Sequence, residues 1–578
     1  MKNKQIITAL STATMLLLNT IAFSQAKELE KFTRQVQEVI KKAAPATVFL
    51  ADYDPQKKIL TNELFSGVVV SKDGLILTAA HVCFPNKTYI VIFSDGTERT
   101  ATGLGRMQSV DAAIMKINEP GNYPSAPIGW SSSLKVNEPC ISIAYPGSFN
   151  TNTINTPPAK PKRQVVRLGY VAEPLTRRGT RIRTTCLMEP GDSGGPVFDM
   201  YGRVVGLHSS INMPVTDNME IPVDLYRKYW TALNKPEDYK AMPAEDLVPV
   251  DSLRMGEKNF IGIAKLDSTF GGLKSKYTDY SLLVKSVNKG KPLSILGTAV
   301  SLDGLAAKNL LKGKGFLVTK NSMLGDSIQV QLPDGKMVAG KIISRDNNSD
   351  LALVQIDTKL KNTIDIYSLK ADSITNDQLG TLLLSAEPAK TGVVSVLASA
   401  EFPLKNFSSI GYLGGGTANK NGKLVMNMVQ PNTAAMEFLK VDDEITSIDG
   451  QKLSTPDDFL KAIQKHKPGE VAVVNGSRDN NAFSYNITLR LRPPANSTHI
   501  ASRFEGGRSE RYDGFWDTFV HDAVIKPSEC GGPVFDSNGR FIGINMARYS
   551  RVSSIATAAR GVQKFVETSA RSLSNTQI

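Results

Sequence analysis

The sequence predicts a mainly β chain divided into several domains, and three observations point there. First, its 578 residues exceed what one hydrophobic core organises, because single cores stop growing at about 250–300 residues. Second, short apolar runs alternate with turn signals. Ala46-Thr47-Val48-Phe49-Leu50, Gly67-Val68-Val69-Val70, Leu75-Ile76-Leu77-Thr78 and Tyr89-Ile90-Val91-Ile92-Phe93 are spaced by turns such as Lys72-Asp73-Gly74 and Ser94-Asp95-Gly96. Short strands at this spacing make an all-β barrel or sandwich. Third, one loop with its following strand occurs twice: Ser193-Gly194-Gly195-Pro196-Val197-Phe198-Asp199 returns as Cys530-Gly531-Gly532-Pro533-Val534-Phe535-Asp536.

From the N-terminus, Lys2 and Lys4 precede a largely apolar stretch from Ile6 to Phe23, and Ser24-Gln25-Ala26 puts small residues where a signal peptidase reads. Residues 1–26 are therefore expected to be a secretory signal, with a mature protein that starts near Lys27 and is periplasmic or secreted. No later stretch is long and apolar enough to span a bilayer. The hydrophobic share of 41% and charged share of 21% are ordinary for folded soluble protein. Four cysteines, Cys83, Cys140, Cys186 and Cys530, are too few for a disulfide framework. One bridge would suit an oxidising compartment, but the sequence does not assign it.

The net charge is +13, yet no aromatic-and-basic recognition motif accompanies it, so no nucleic-acid partner is expected. A local basic run, Lys160, Lys162, Arg163, Arg167, Arg177, Arg178, Arg181 and Arg183 against the single acid Glu173, reads as a solvated loop face.

Three motifs sit on the first β-rich segment in the order His, Asp, Ser: Thr78-Ala79-Ala80-His81, Ser109-Val110-Asp111-Ala112-Ala113-Ile114, and Gly191-Asp192-Ser193-Gly194-Gly195-Pro196. A serine hydroxyl is a poor nucleophile until an imidazole takes its proton. The imidazole in turn needs a carboxylate to fix its tautomer and stabilise its charged form. Glycines at 191 and 194 let the loop turn so that the N–H groups of Gly191 and Ser193 point at a developing oxyanion.

On these motifs residues 40–230 resemble the chymotrypsin-like double β-barrel, specifically the HtrA (Do-type) branch of trypsin-like peptidases. The resemblance implies two six-stranded barrels with the triad in the cleft between them, and acyl-enzyme hydrolysis of peptide bonds without metal or cofactor. Ser193 would be nucleophile, His81 general base and acid, Asp111 its orienter, and Gly191 with Ser193 the oxyanion hole. Asp192 departs from the asparagine common in HtrA loops. Polypeptides would be the substrates; the alternative is a non-catalytic chaperone or scaffold that binds polypeptides. Relatives often form trimers, so a homo-oligomer stays open, and no feature of the sequence fixes the state.

The repeat extends beyond the serine loop. Gly297-Thr298-Ala299-Val300-Ser301-Leu302-Asp303-Gly304 matches residues 67–74, and Ser349-Asp350-Leu351-Ala352-Leu353 matches 110–114. Sixteen residues separate Asp95 from Asp111, and sixteen separate Asp334 from Asp350. Duplication of the whole protease fold explains this most economically. Here, however, cysteine replaces the serine, Ser528 replaces the loop glycine, and no histidine occurs between His208 and His466. A loose alignment puts Ser322 opposite His81. The second copy is expected to be degenerate, with His521 on the wrong barrel to serve Cys530.

From Asp111 to Ser193 is 82 residues, but from Asp350 to Cys530 is 180; the excess is about one small domain. It contains Gly411-Tyr412-Leu413-Gly414, Val429-Gln430-Pro431-Asn432-Thr433-Ala434-Ala435 and a short helix capped at Thr455 carrying Phe459, Leu460 and Ile463. These features resemble the PDZ domains of the HtrA family, which bind extended peptides at a sheet edge. The resemblance makes Tyr412, Leu413 and Gly414 a carboxylate-binding loop. The expected domains are residues 1–26 as signal, 27–240 as protease, 250–403 with 497–572 as degenerate protease, and 404–496 as PDZ-like insert.

The pocket-floor region Cys186-Leu187-Met188-Glu189-Pro190 has no aspartate, so trypsin-like preference for Arg or Lys is not expected. Leu187 and Met188 suit small or medium apolar residues. His208, fifteen residues after Ser193, stands where glutamyl-specific relatives of this fold carry a substrate-contacting histidine. That makes it a specificity candidate, against the plainer reading of a histidine ending a barrel strand.

Overall fold

The computed structural model describes residues 27–150, 157–158, 162–176, 179–212, 214–249, 251, 260–288, 290–404, 409–492 and 500–575. The expected signal segment 1–26 lies outside them, as do Lys160, Arg177 and Arg178 of the basic run. The chain forms two compact units. Pro403–Thr498 with Ser509–Trp516 make the smaller one, and the other described residues make the larger.

Six strands open the larger unit: β1 (Thr47–Asp54), β2 (Ile59–Val69), β3 (Leu75–Ala79), β4 (Thr88–Ile92), β5 (Glu98–Met107) and β6 (Ala112–Ile117). They pair in the cyclic order β1-β4-β5-β6-β3-β2 and close on themselves. Closure leaves no unpaired edge, and the inward residues Val48, Leu50, Phe65, Ile76, Val91 and Met115 fill the interior. Six more, β7 (Pro139–Ala144), β8 (Val165–Thr176), β9 (Arg181–Thr184), β10 (Pro196–Asp199), β11 (Val204–Ile211) and β12 (Asn218–Pro222), form a closed barrel in the order β10-β11-β12-β9-β8-β7.

A second pair of sheets repeats this connectivity. Strands Ser281–Asn288, Lys291–Ser301, Gly315–Lys320, Asp326–Gln331, Met337–Asp346 and Leu351–Ile356 pair in the cyclic order of β1 to β6. Leu382–Ala386, Gly392–Val396, Thr518–His521, Pro533–Asp536, Phe541–Arg548 and Ser554–Ala558 follow the order of β7 to β12. Bridges Leu397–His521 and Phe402–Thr518 join the two ends of that sheet. At the last bridge Phe402 N–H donates to Thr518 O at 2.8 Å and Thr518 N–H to Phe402 O at 3.1 Å.

The two barrel pairs, expected as separate domains, share one compact unit. Their joint is specific. Val166 N–H donates to Ala398 O at 3.0 Å. The buried Asp522 carboxylate accepts Leu168 N–H at 3.0 Å from one pair and Val396 N–H at 2.7 Å from the other. Burial pushes the Asp522 carboxyl up to about 6, against the lowering effect of those two N–H donors.

The smaller unit is a sheet in the order Gly415–Lys420, Lys423–Val429, Glu444–Ile448, Val471–Arg478, Asn481–Thr488. Helix Pro456–Ile463 begins with a capping box in which Thr455 Oγ1 accepts the Asp458 N–H at 3.1 Å. Phe459, Ala462 and Ile463 on its inner face join the core with Leu413, Met426 and Val474. Gly415–Lys420 ends the sheet, and its outer edge pairs with no strand among the described residues. The unit also takes in Ser509–Trp516, beyond the expected limit at 496, because Ser409 N–H and Oγ both donate to Asp513 Oδ1, at 3.1 and 2.8 Å.

Candidate active site

His81, Asp111 and Ser193 converge between the first two barrels. His81 follows β3, and its backbone N–H donates to Asp111 Oδ1 at 2.9 Å. Asp111 has a positive φ of 66° at the turn into β6, which swings its carboxylate back under the imidazole. His81 Nδ1 lies 3.0 Å from both carboxylate oxygens, and His81 Nε2 lies 3.0 Å from Ser193 Oγ. The His81 side chain is 42% exposed and Asp111 10%, so the imidazole meets solvent while the carboxylate is shielded. Burial raises the Asp111 carboxyl, but hydrogen bonds from His81 and Ser209 outweigh it, and the group stays ionised below its usual range.

The glycines of the nucleophile loop are sterically required. Gly191 (φ 97°) would place a Cβ 2.5 Å from Gly147 N, and Gly194 (φ 76°) would place one 2.1 Å from Thr78 Oγ1. Ser66 anchors the loop from β2: its N–H donates to Ser193 O at 2.9 Å and its Oγ to Gly191 O at 2.8 Å. Among the described residues, the N–H groups of Gly191 and Ser193 have no intramolecular acceptor, which leaves both free for a ligand oxygen.

Two partners were not legible as such. Ser209 Oγ donates to Asp111 Oδ2 at 2.6 Å and completes the carboxylate's shell. Asp192 is fully buried and pairs with Arg167, Nη1 to Oδ2 at 2.9 Å, while Oδ2 also accepts Glu189 N–H at 2.8 Å. Burial pushes the Asp192 carboxyl up, with Arg167 opposing. The basic run is therefore no solvated face. Arg167 is buried, Arg163 stacks on the Phe402 ring at 3.4 Å, and Arg183 pairs with Glu173.

His208 does not reach the cleft. Its side chain is 0% exposed, with Nε2 2.5 Å from Ser142 Oγ and Nδ1 3.8 Å from Glu220. Successive residues of a strand face opposite sides, so with Ser209 turned to the triad, His208 points into the barrel. Burial holds its imidazole down at about 3 and the Glu220 carboxyl well above its usual range. The candidate role of His208 against acidic substrates is corrected on this ground. Met188 is buried with its N–H on Asn218 Oδ1 at 3.3 Å. Leu187 lines a cavity of about 660 Å³ walled also by Tyr170, Val393 and Val524.

The second barrel pair shows the same hydrogen bonds around a different site. Asn321 N–H donates to Asp350 O at 2.8 Å, as Ala80 N–H does to Asp111 O. Ser322 N–H donates to Asp350 Oδ1 at 2.7 Å, as His81 N–H does to Asp111 Oδ1. Ser322 thus holds the histidine's place, with its Oγ 2.9 Å from Asp350 Oδ2, while buried Lys320 Nζ donates to that oxygen at 2.6 Å. Ser528 lacks the positive φ of Gly191. Residues Pro527–Glu529 form a 3₁₀ turn, and Cys530 N–H donates to Pro527 O at 3.3 Å. Cys530 is buried against Ala523 and Ile525. His521 is also buried, and burial drops its imidazole to about 3.

In the smaller unit Tyr412 N–H is committed to Arg490 O at 2.8 Å, which removes it from the expected carboxylate-binding donors. Among the described residues the N–H groups of Leu413 and Gly414 have no intramolecular acceptor. No cluster of three His, Cys, Asp or Glu side chains could hold a metal, and no helix is long and apolar enough to cross a membrane, among the described residues.

Residues 65–207 match the model of the trypsin-like peptidase domain, and residues 411–489 match that of the PDZ domain. The first barrel pair accordingly contains a trypsin-like peptidase domain, and the smaller unit is a PDZ domain. Among curated relatives, a "Probable periplasmic serine endoprotease DegP-like" from Pseudomonas savastanoi pv. phaseolicola is 32% identical over 35% of this chain and 40% of its own. One with the same description from Hahella chejuensis is 26% identical over 74% of this chain and 80% of its own. The chain thus spans well under two thirds of the first of these. A crystal structure of the serine endoprotease from Yersinia pestis is matched at 14% identity and a TM-score of 0.29, covering 79% of this chain and 98% of that one.

Proposed function

We propose that the protein is an exported, periplasmic or secreted serine endopeptidase that cuts unfolded or exposed polypeptides through an acyl-enzyme. The observation that carries this reading is the unbroken chain of 3.0 Å contacts from Ser193 Oγ through His81 to Asp111. As a substrate carbonyl meets Ser193 Oγ, His81 Nε2 takes the hydroxyl proton and Asp111 stabilises the imidazolium. The N–H groups of Gly191 and Ser193 receive the oxyanion. His81 then gives the proton to the leaving amine, and water repeats the sequence on the acyl-serine. With His208 and Glu220 both buried inside the barrel, neither meets a substrate side chain, and apolar residues before the cut suit the cleft.

In this reading the second barrel pair is a degenerate copy of the first. Lys320 pairs with Asp350, and the Pro527 carbonyl takes up the Cys530 N–H, the counterpart of one of the two oxyanion donors in the first copy. The PDZ domain takes an extended peptide on the outer edge of Gly415–Lys420, with Leu413 and Gly414 N–H on its terminal carboxylate. Ser193→Ala on casein and on a fluorophosphonate probe tests the assignment. Both signals are expected to vanish with the fold intact; a wild type silent in both would overturn it.

A further inference from the structure

Three segments wall the Ser193 loop. Tyr145–Asn150 touches it through Gly147 N–H on Pro190 O at 2.8 Å. Cys186–Gly191 leads into it. Asn212–Asn218 supports that lead through Asn218 Oδ1, which accepts Met188 N–H, and Asn218 itself donates to Val215 O at 2.9 Å. The position of these walls sets where a substrate side chain lies relative to Ser193.

One turn of the second barrel pair, Tyr549–Ser553, reaches two of the three. Arg551 Nη2 donates to the carbonyls of Asn212 at 3.1 Å, Pro214 at 2.9 Å and Val215 at 3.2 Å. Tyr549 Oη donates to Ser148 O at 2.8 Å, and its ring stacks on Phe149 with centroids 4.6 Å apart. The turn is braced from behind: Arg548 Nη1 donates to Ala523 O at 3.1 Å and Tyr549 N–H to Ser553 O at 3.0 Å.

Arg551 is only 1% exposed, and every acceptor of its hydrogen bonds among the described residues belongs to the first pair. A buried guanidinium is costly unless paired; Nη2 of this one finds its acceptors in the cleft segment, while Nε and Nη1 have no hydrogen-bond partner among the described residues. The joint between the pairs does not depend on it, since Asp522 and the Val166–Ala398 bond already tie them.

We infer that Arg551 and Tyr549 are positioning residues of the first catalytic cleft, and that the degenerate copy serves as its built-in brace. The inference rests on the first pair's being the protease. Freeing the Asn212, Pro214 and Val215 carbonyls lets that wall relax, and through Asn218 and Met188 the relaxation reaches the lead to Ser193.

The test uses the full chain with Arg551→Ala, Arg551→Lys and Tyr549→Phe. Hydrogen–deuterium exchange should speed up about tenfold at residues 212–218 and 186–193 in Arg551→Ala, with strand β4 unchanged. The ratio of kcat/KM for two peptides differing only in the residue before the cut should move about fivefold, with Arg551→Lys returning most of it. Partial unfolding lowers both peptides equally and leaves that ratio alone. Exchange and ratio both unchanged in Arg551→Ala would overturn the brace while leaving the protease intact. A wild type that cleaves nothing, yet loosens at 212–218 on substitution, would remove the protease and keep the brace. Where Arg551→Ala does not fold, Arg551→Met, which keeps the volume and removes the donors, carries the same two readouts.

Discussion

Replacing Arg167 with methionine keeps most of the side-chain volume and strips the partner from a carboxylate that has no route to water. The Arg167–Asp192 contact is 2.9 Å, with both side chains buried. Removing one member of such a pair costs about 3–5 kcal/mol. The loss must depend on pH in a stated direction. Burial already holds the Asp192 carboxyl above its usual value, so the folded state keeps a proton that the unfolded state releases, and stability falls as pH rises through that window. Without Arg167 the carboxyl rises further. The deficit should be larger at pH 8 than at pH 5, because below the wild-type folded value of about 7 Asp192 carries its proton in both folded proteins. Asp192→Asn on top of Arg167→Met removes the charge while leaving an oxygen for Glu189 N–H, so the double variant should recover at least half of the loss. Because Asp192 lies between Gly191 and Ser193, kcat/KM in the single variant should drop by about 100-fold. Urea titrations of the four-member cycle at pH 5 and pH 8 measure all of this. A single-variant loss below about 1 kcal/mol at pH 8, or one of equal size at both pH values, would refute the reasoning.

Ser209→Ala removes the 2.6 Å donor to Asp111 and should lower kcat about tenfold, or about 1.4 kcal/mol, with KM unchanged in steady-state kinetics. Restoring the second site by Ser322→His with Cys530→Ser should leave it silent to fluorophosphonate in a Ser193→Ala background, because Cys530 N–H remains turned to Pro527 O; labelling there would show that the loop opens without Ser528→Gly. Because burial raises the Glu220 carboxyl, its ionisation makes stability fall as pH rises; Glu220→Gln should flatten that fall, read as melting temperatures at pH 5 and pH 8. Cys140 and Cys186 have Sγ atoms 3.8 Å apart in the barrel core. Oxidation with diamide should link them, seen as a 140–186 cross-linked peptide, and closing that 46-residue span should add about 4 kcal/mol.

The alternation of short apolar runs and turns was enough to read the barrels, because strand periodicity is local. The triad was legible because its chemistry tolerates few other residue types in that order. What escaped depends on which face a side chain takes or on contacts across the chain. His208 and Ser209 stand side by side, and attention to the titratable one missed that the period of two sends it inward and its neighbour to Asp111. The departure at Asp192 and the basic run around Arg167 were each visible, but twenty-five residues separate them, and only the closed barrel brings β8 beneath the loop. Ser322 was placed opposite His81 by a loose alignment, whereas the Lys320–Asp350 pair that fills the vacated space has no counterpart in the first copy to suggest it.

The reciprocal pair of bonds between Phe402 and Thr518 has a consequence for how the chain carries its PDZ domain. Those two residues are the stems of an interruption in the last barrel, and the host joins them without help from the guest. Closure entropy grows only slowly with the length of what is tied off, so a barrel with a clasped stem tolerates almost any cargo between the clasp's two halves. Seen this way, the position is a socket: a site where modules can be exchanged, lengthened or lost while the brace and the cleft it supports go on unchanged.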